Sequence, residues 1–192
     1  MTFYELKKKL YADYQRVIVV GGKTSFFHIE FRTIIWYRIA SYLVSKHNIF
    51  ARGCYIIVKL IQIHLANKSG IEINAVTPIG KGLRIAHVGN IIIAGGVRIG
   101  ENCTIHQCVT IGRSFSGTKA GCPTIGNNVI IFPGTVIVGN IMIGDNSVIG
   151  ANSLVIDDVP ANSVMGGVPA KILSNDSSRV ISKEWQKYFT AR

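Results

Sequence analysis

Five histidines and four cysteines are the side chains of this 192-residue chain best suited to proton transfer, nucleophilic attack or metal ligation. Cys54, Cys103, Cys108 and Cys122 form no CxxC pair and no zinc-like spacing, so reduced, mostly buried thiols are expected. An imidazole titrates close to neutral pH, which makes histidine the natural general base for a hydroxyl proton. His28, His47 and His64 fall in a helical stretch, where surface or packing roles are expected. His87 stands in RIAHVGNIII, where a repeat described below gains two residues and a bulge can aim a side chain outward. His106 sits in TIHQCVTIG, in a structural or ligand-lining position. Two histidines nineteen apart, with no third nearby, do not make a three-histidine metal site, so no metal is expected.

The elements that must position these groups change character at residue 70. Before it the pattern is helical: Phe3, Leu6, Leu10 and Tyr14 recur at close to 3.6 residues, and Phe31–Val44 and Ile49–Ala66 are too long for single strands. After it an aliphatic recurs every six residues, at Ile73, Ile79 and Ile85, at Ile93, Ile99, Ile105 and Ile111, and at Ile125, Ile131, Ile137, Ile143, Ile149 and Val155. Two insertions interrupt the period, of two residues before Ile93 and of eight before Ile125. Turn-forming residues between the aliphatics let three short segments close one triangular coil, and stacked coils bury continuous aliphatic columns. The expected fold is a parallel β-helix over 71–172, with a helical region over 1–70, a loop insertion over 113–122 and a short helical tail over 173–192.

Composition adds constraints. Residues 1–70 hold 11 basic and 3 acidic side chains, net +8, against net +3 for the rest. Such a balance suits a polyanionic partner, whether nucleic acid, anionic membrane or phosphorylated ligand. Nucleic acid is set aside, because no aromatic platform or recognition helix accompanies the charge. The start of the chain lacks the apolar core of a secretory signal, which points to the cytoplasm. The apolar windows Ile34–Val44 and Cys54–Ala66 fall short of the roughly 20 residues that span a bilayer. Contact between the helices and the inner membrane face stays open.

IGKGLRIAHVGNIIIAGGVRIGENCTIHQCVTIG, CPTIGNNVIIFPGTVIVGNIMIGDNSVIGANSLVIDDVP and GGVPAKIL resemble the left-handed β-helix acyltransferases of the hexapeptide-repeat family, in their serine acetyltransferase-like branch. The resemblance implies the left hand of the coil, acetyl-CoA as co-substrate, a hydroxyl acceptor and a homotrimer with an active site in each interface. A hexamer of two trimers is left open. It makes His87 the general base, and Glu72, fifteen residues earlier, its orienting carboxylate. Gly112, Pro133, Gly134 and Ala151 match places where the family's backbone lines the pantetheine channel, and Lys171 matches a basic residue near the cofactor's phosphates. Arg113 and Lys119 of the inserted loop are further candidates for those phosphates.

Departures from the family pattern bear on the acceptor. Ala86 stands where serine acetyltransferases carry an Asp, and Gly121-Cys122 replaces Arg-His before Pro123. With His106 these positions are expected to line the acceptor site. The loss of charged ligands, together with an Ala/Gly-Cys-Pro loop, resembles the O-acetyltransferases of capsule and colanic acid polysaccharides. The resulting expectation is O-acetylation of a sugar in surface-polysaccharide biosynthesis. Serine O-acetylation is the alternative, and a non-enzymatic hexapeptide-repeat scaffold is the alternative of another class.

Overall fold

In a computed structural model, which describes residues 1–22, 27–46 and 48–181, the six-residue spacing becomes three columns of stacked aliphatics. The first face is the parallel sheet β1 (Ile71–Ile73), β3 (Ile91–Ile93), β6 (Thr110–Gly112), β9 (Val136–Val138) and β12 (Leu154–Val155). The second face pairs β4 (Arg98–Ile99), β7 (Thr124–Ile125) and β10 (Met142–Ile143), extended at its ends by bridges through Ile79 and Val159. The third face carries β2 (Arg84–Ile85), β5 (Thr104–Ile105), β8 (Ile130–Ile131), β11 (Val148–Ile149), β13 (Val164–Gly167) and the antiparallel β14 (Ala170–Ser174). The registers are those of the repeat: Ile73, Ile93, Ile111, Ile137 and Val155 stack on the first face. Ile85, Ile105, Ile131 and Ile149 do so on the third. All thirteen hexad aliphatics are buried in one core, which Val159 and Met165 continue beyond the last hexad.

The turns explain the polar residues between the aliphatics. Asn102, Asn128, Asn146 and Asn162 all take positive φ at the edge joining the second and third faces, a conformation that Asn tolerates better than most residues. Their side chains form a ladder, with Asn102 Nδ2 donating to Asn128 Oδ1 (3.3 Å), Asn128 to Asn146 (2.9 Å) and Asn146 to Asn162 (2.9 Å). Buried hydroxyls likewise bond carbonyls of neighbouring coils: Ser147 Oγ donates to Gly144 O and Pro160 O.

Three helices precede the coil: α1 (Phe3–Gly21), α2 (Ile29–Val44) and α3 (Ile49–Ser69). Thr2 and Glu5 form a capping box at the start of α1, and Asn48 Oδ1 accepts from Ala51 N at the start of α3. Gly70 ends α3 at φ 67°, and a Cβ there would come within 2.7 Å of Asn90 N. That junction requires glycine on both counts.

The helices close the open end of the coil. Arg38 and Asp13 form a buried ion pair, Nε to Oδ2 at 2.8 Å. Arg38 also donates to Ile79 O (2.8 Å) and Gly80 O (2.6 Å), while Asp13 Oδ1 accepts from Leu83 N (2.8 Å). Arg16 donates to Gly82 O, Cys103 O and Thr104 Oγ1, and Lys9 to Ile79 O. The first coil has no earlier coil to answer its backbone, so these side chains do. Burial opposes the Arg38 charge, and Asp13 outweighs it, leaving the guanidinium pKa raised. Burial lowers that of Arg16 to about 10, still protonated at neutral pH. The basic excess of the N-terminal third is therefore partly internal: Lys9, Arg16 and Arg38 serve the fold.

Three expectations need adjustment. The apolar stretch read as Cys54–Ala66 belongs to a 21-residue helix, α3, which is long and apolar enough to cross a membrane. It lies on the protein instead, with Ala51, Val58, Leu65 and Ser69 buried. In the tail, β14 runs to Ser174 and a single 3-10 turn follows at Ser177–Arg179; residues 182–192 and His47 lie outside the described residues. All four cysteines are free, but Cys103 alone among them is fully buried and Cys108 is exposed.

Candidate active site

The edge joining the third face to the first collects the strongest candidates. Cys108 N bonds Gly89 O, Gly134 N bonds Gln107 O and Asn152 N bonds Pro133 O, so the turns 86–90, 106–109, 132–135 and 150–153 stack in consecutive coils. The two extra residues lengthen the first of these turns, where Gly89 and Asn90 take positive φ and His87 is exposed. Gly89 N donates to Ser69 O at 2.9 Å, which ties this turn to the end of α3. Pro133, Gly134 and Ala151 lie on the same edge.

His106 occupies the next coil. Its ring centroid is 6.2 Å from that of His87 and 5.1 Å from that of Phe132, on which it stacks. Burial, reinforced by the charges of Arg84 and His87, pushes the His106 imidazole down to about 4. Its proton affinity is then too low for a base at neutral pH. Phe132 was missed in the sequence, although its signal was present: β5 and β8 pair Ile105 with Ile131, so the residues after them stack.

Glu72 lies elsewhere on the first coil. It points outward from β1 opposite Ile92, beside a cavity of about 380 Å³ whose lining includes Trp36, Lys59, Gln62 and Asn74. His87 does not line this cavity. Among the described residues, no hydrogen bond joins Glu72 to His87, so the expected dyad is not formed within the isolated chain.

Gly112, Arg113, Lys119 and Cys122 gather at the edge between the first and second faces, while Lys171 lies on β14 of the third. Gly112 ends β6, and the inserted loop leaves from Arg113. Reciprocal bonds between Ser114 and Gly121 (both 2.9 Å) close the loop at its base, and Phe115 stands 88% exposed near its tip. Cys122 packs inward, Sγ 3.5 Å from Gly95 O, and Ala86 is half-buried at the other edge. Lys119 is held by Asp157 and Ile156 O, a partnership invisible in the sequence. Arg113 and Lys171 are exposed cations without an ion pair among the described residues.

The candidate residues of one chain thus fall on two edges of the coil. The first face, crossed here by β3 (Ile91–Ile93), separates the two edges. The general-base candidate lies on one edge, and the loop with Arg113 on the other. No group of three or more His, Cys, Asp or Glu side chains able to hold a metal occurs among the described residues.

Comparison with known proteins bears on this arrangement. Residues 122–157 match the family described as "Bacterial transferase hexapeptide (six repeats)". The chain is 37% identical over 140 residues to the serine acetyltransferase of Staphylococcus xylosus, covering 73% of this chain and 64% of that one. The serine acetyltransferase of Synechococcus elongatus is 31% identical over 151 residues, 78% of this chain and 59% of the other. The chain thus spans just under two thirds of the length of the curated relatives it matches. Among solved structures, serine acetyltransferase from Brucella abortus superposes with a TM-score of 0.77 at 26% identity, over 91% of this chain and 71% of that one. That of Neisseria gonorrhoeae gives 0.76 at 27% identity, over 91% and 70%.

Residues 122–157 carry that family's six-residue repeat, and the likeness to these structures makes the coil a left-handed β-helix. The expectation of a sugar acceptor in surface-polysaccharide synthesis is contradicted, since these relatives bear serine acetyltransferase names. That expectation rested on side chains missing at Ala86, Gly121 and Cys122. A ligand missing from one segment says nothing about groups supplied by others.

Proposed function

We propose that this chain is an acetyl-CoA-dependent O-acetyltransferase acting on the hydroxyl of serine. The observation that carries the reading is the exposed His87 on a turn lengthened by two residues, in a chain 37% identical over 140 residues to a protein named serine acetyltransferase. A bound acetyl-CoA supplies an activated thioester carbonyl. The residues present suit such a molecule: the His87 edge offers the half-buried Gly134 and the exposed Ala151, and Arg113 and Lys171 are exposed cations able to meet phosphates. Structures of serine acetyltransferases with coenzyme A are among the fold's neighbours.

In this mechanism His87 takes the proton of the acceptor hydroxyl as its oxygen bonds to the acyl carbon. As the carbon–sulfur bond breaks, His87 returns the proton to the departing sulfur. His106, uncharged at working pH, lines the site beside it on Phe132 without competing for the proton. Glu72 is the candidate to steady His87, and the separation of the candidates on two edges favours a homotrimer in which the two edges would meet across an interface. A cytoplasmic location accompanies this reading.

The test is release of free thiol from acetyl-CoA by the purified chain. Serine-dependent release is expected. Absence of release with serine, from folded protein, would overturn the assignment of the acceptor.

A further inference from the structure

The outer face of α3 is apolar where a surface helix is normally polar. Ile49, Phe50, Ile56, Ile57, Leu60 and Ile63 are exposed, Ile49 by 84%, Phe50 by 80% and Leu60 by 62%. Their spacings of four and seven residues line them up along the side of the helix opposite Ala51, Val58 and Leu65, which are buried. A contiguous exposed apolar strip of this kind marks an interaction surface.

The charges around the strip select the partner. Arg52 and Lys59, seven residues apart, flank it on one side, and Lys68 stands in the last turn. α3 contains no Asp or Glu. Unlike Lys9, Arg16 and Arg38, which bond the first coil, these three cations are exposed and form no ion pair among the described residues. A second copy applied face to face would set two cationic flanks together with no carboxylate on α3 to answer them. An anionic bilayer offers hydrocarbon to the strip and phosphates to its flank.

We propose that α3 is an interfacial docking helix for anionic membranes, lying flat in the headgroup region while its inner face stays packed on the protein. Length and composition would also allow α3 to span a bilayer, but Val58 and Leu65 anchor it to the fold. The inference is independent of the proposed activity, since none of these residues is assigned to the acyl-transfer site.

The full chain should float with vesicles containing phosphatidylglycerol and not with pure phosphatidylcholine, and added salt should weaken the binding. Ile56→Glu combined with Leu60→Glu should abolish flotation while far-UV circular dichroism stays unchanged. Arg52→Ser with Lys59→Ser, which leaves the apolar strip intact, should lower the partition about fivefold for each cation removed. Equal binding to neutral and anionic vesicles, or no binding to either, would overturn the proposal. So would a wild-type assembly that Ile56→Glu with Leu60→Glu dissociates in sedimentation without any vesicle binding, since the strip would then join copies of this chain.

Discussion

From β3 to β13 each coil answers the backbone of the coil before it, and the Asn102–Asn162 ladder carries one side-chain bond through four successive coils. At the first coil nothing precedes, and Ile79 O, Gly80 O, Gly82 O and Leu83 N turn instead to Lys9, Arg38, Arg16 and Asp13. The coil is stabilised by repetition of short-range pairings between like residues. Its cap is stabilised by four side chains that follow no repeat and reach across 41 to 70 residues. A solenoid can tolerate variation within a column, but its terminal coil depends on a cap that cannot be replaced piece by piece.

Substitutions can break this contrast. Asp13→Ala leaves Arg38 charged and buried without its partner, and should cost about 3–5 kcal/mol in denaturant unfolding. Replacing the pair together by Asp13→Leu and Arg38→Met should cost less than either single loss, which a double-mutant cycle would register. Within the repeat, Ile131→Ala removes one member of a column and should cost about 2–4 kcal/mol. Asn128→Ala disturbs a ladder and puts alanine at φ 56°, for about 1–2 kcal/mol, and Asn128→Gly should recover part of that loss.

A smaller effect separates the candidate site from both regions. The folded-state pKa of His106, about 4, lies below its ordinary value near 6.5. Between these values the unfolded chain binds a proton that the folded chain does not, so His106 lowers stability as pH falls from 6.5 towards 4. His106→Leu should flatten that part of the stability–pH curve. A curve of unchanged slope would mean that the imidazole is not desolvated by the Phe132 stack.

The coil was readable because its rule has one period: an aliphatic every six residues cannot be satisfied in register except by stacking. The three helices were readable from their apolar spacing to within a few residues at most ends, with α1 extending seven residues beyond Tyr14 to Gly21. The cap was not readable. Lys9, Arg16 and Arg38 looked like surface charge, because bonds from side chains to distant carbonyls leave no periodic trace. The same limit hid the Lys119–Asp157 pair, whose geometry depends on how the inserted loop folds. His87 stood out because an insertion in a regular repeat marks the turn that holds it. The acceptor was misjudged because it was inferred from absences at Ala86, Gly121 and Cys122, which a positive likeness to named relatives outweighs.

The central claim is that His87 takes the acceptor's proton, and His87→Ala tests it most directly. In a thiol-release assay with acetyl-CoA and serine, kcat should fall about 10²–10⁴-fold, with the thermal unfolding and sedimentation of the wild-type protein retained. Turnover equal to that of the wild type would contradict the account.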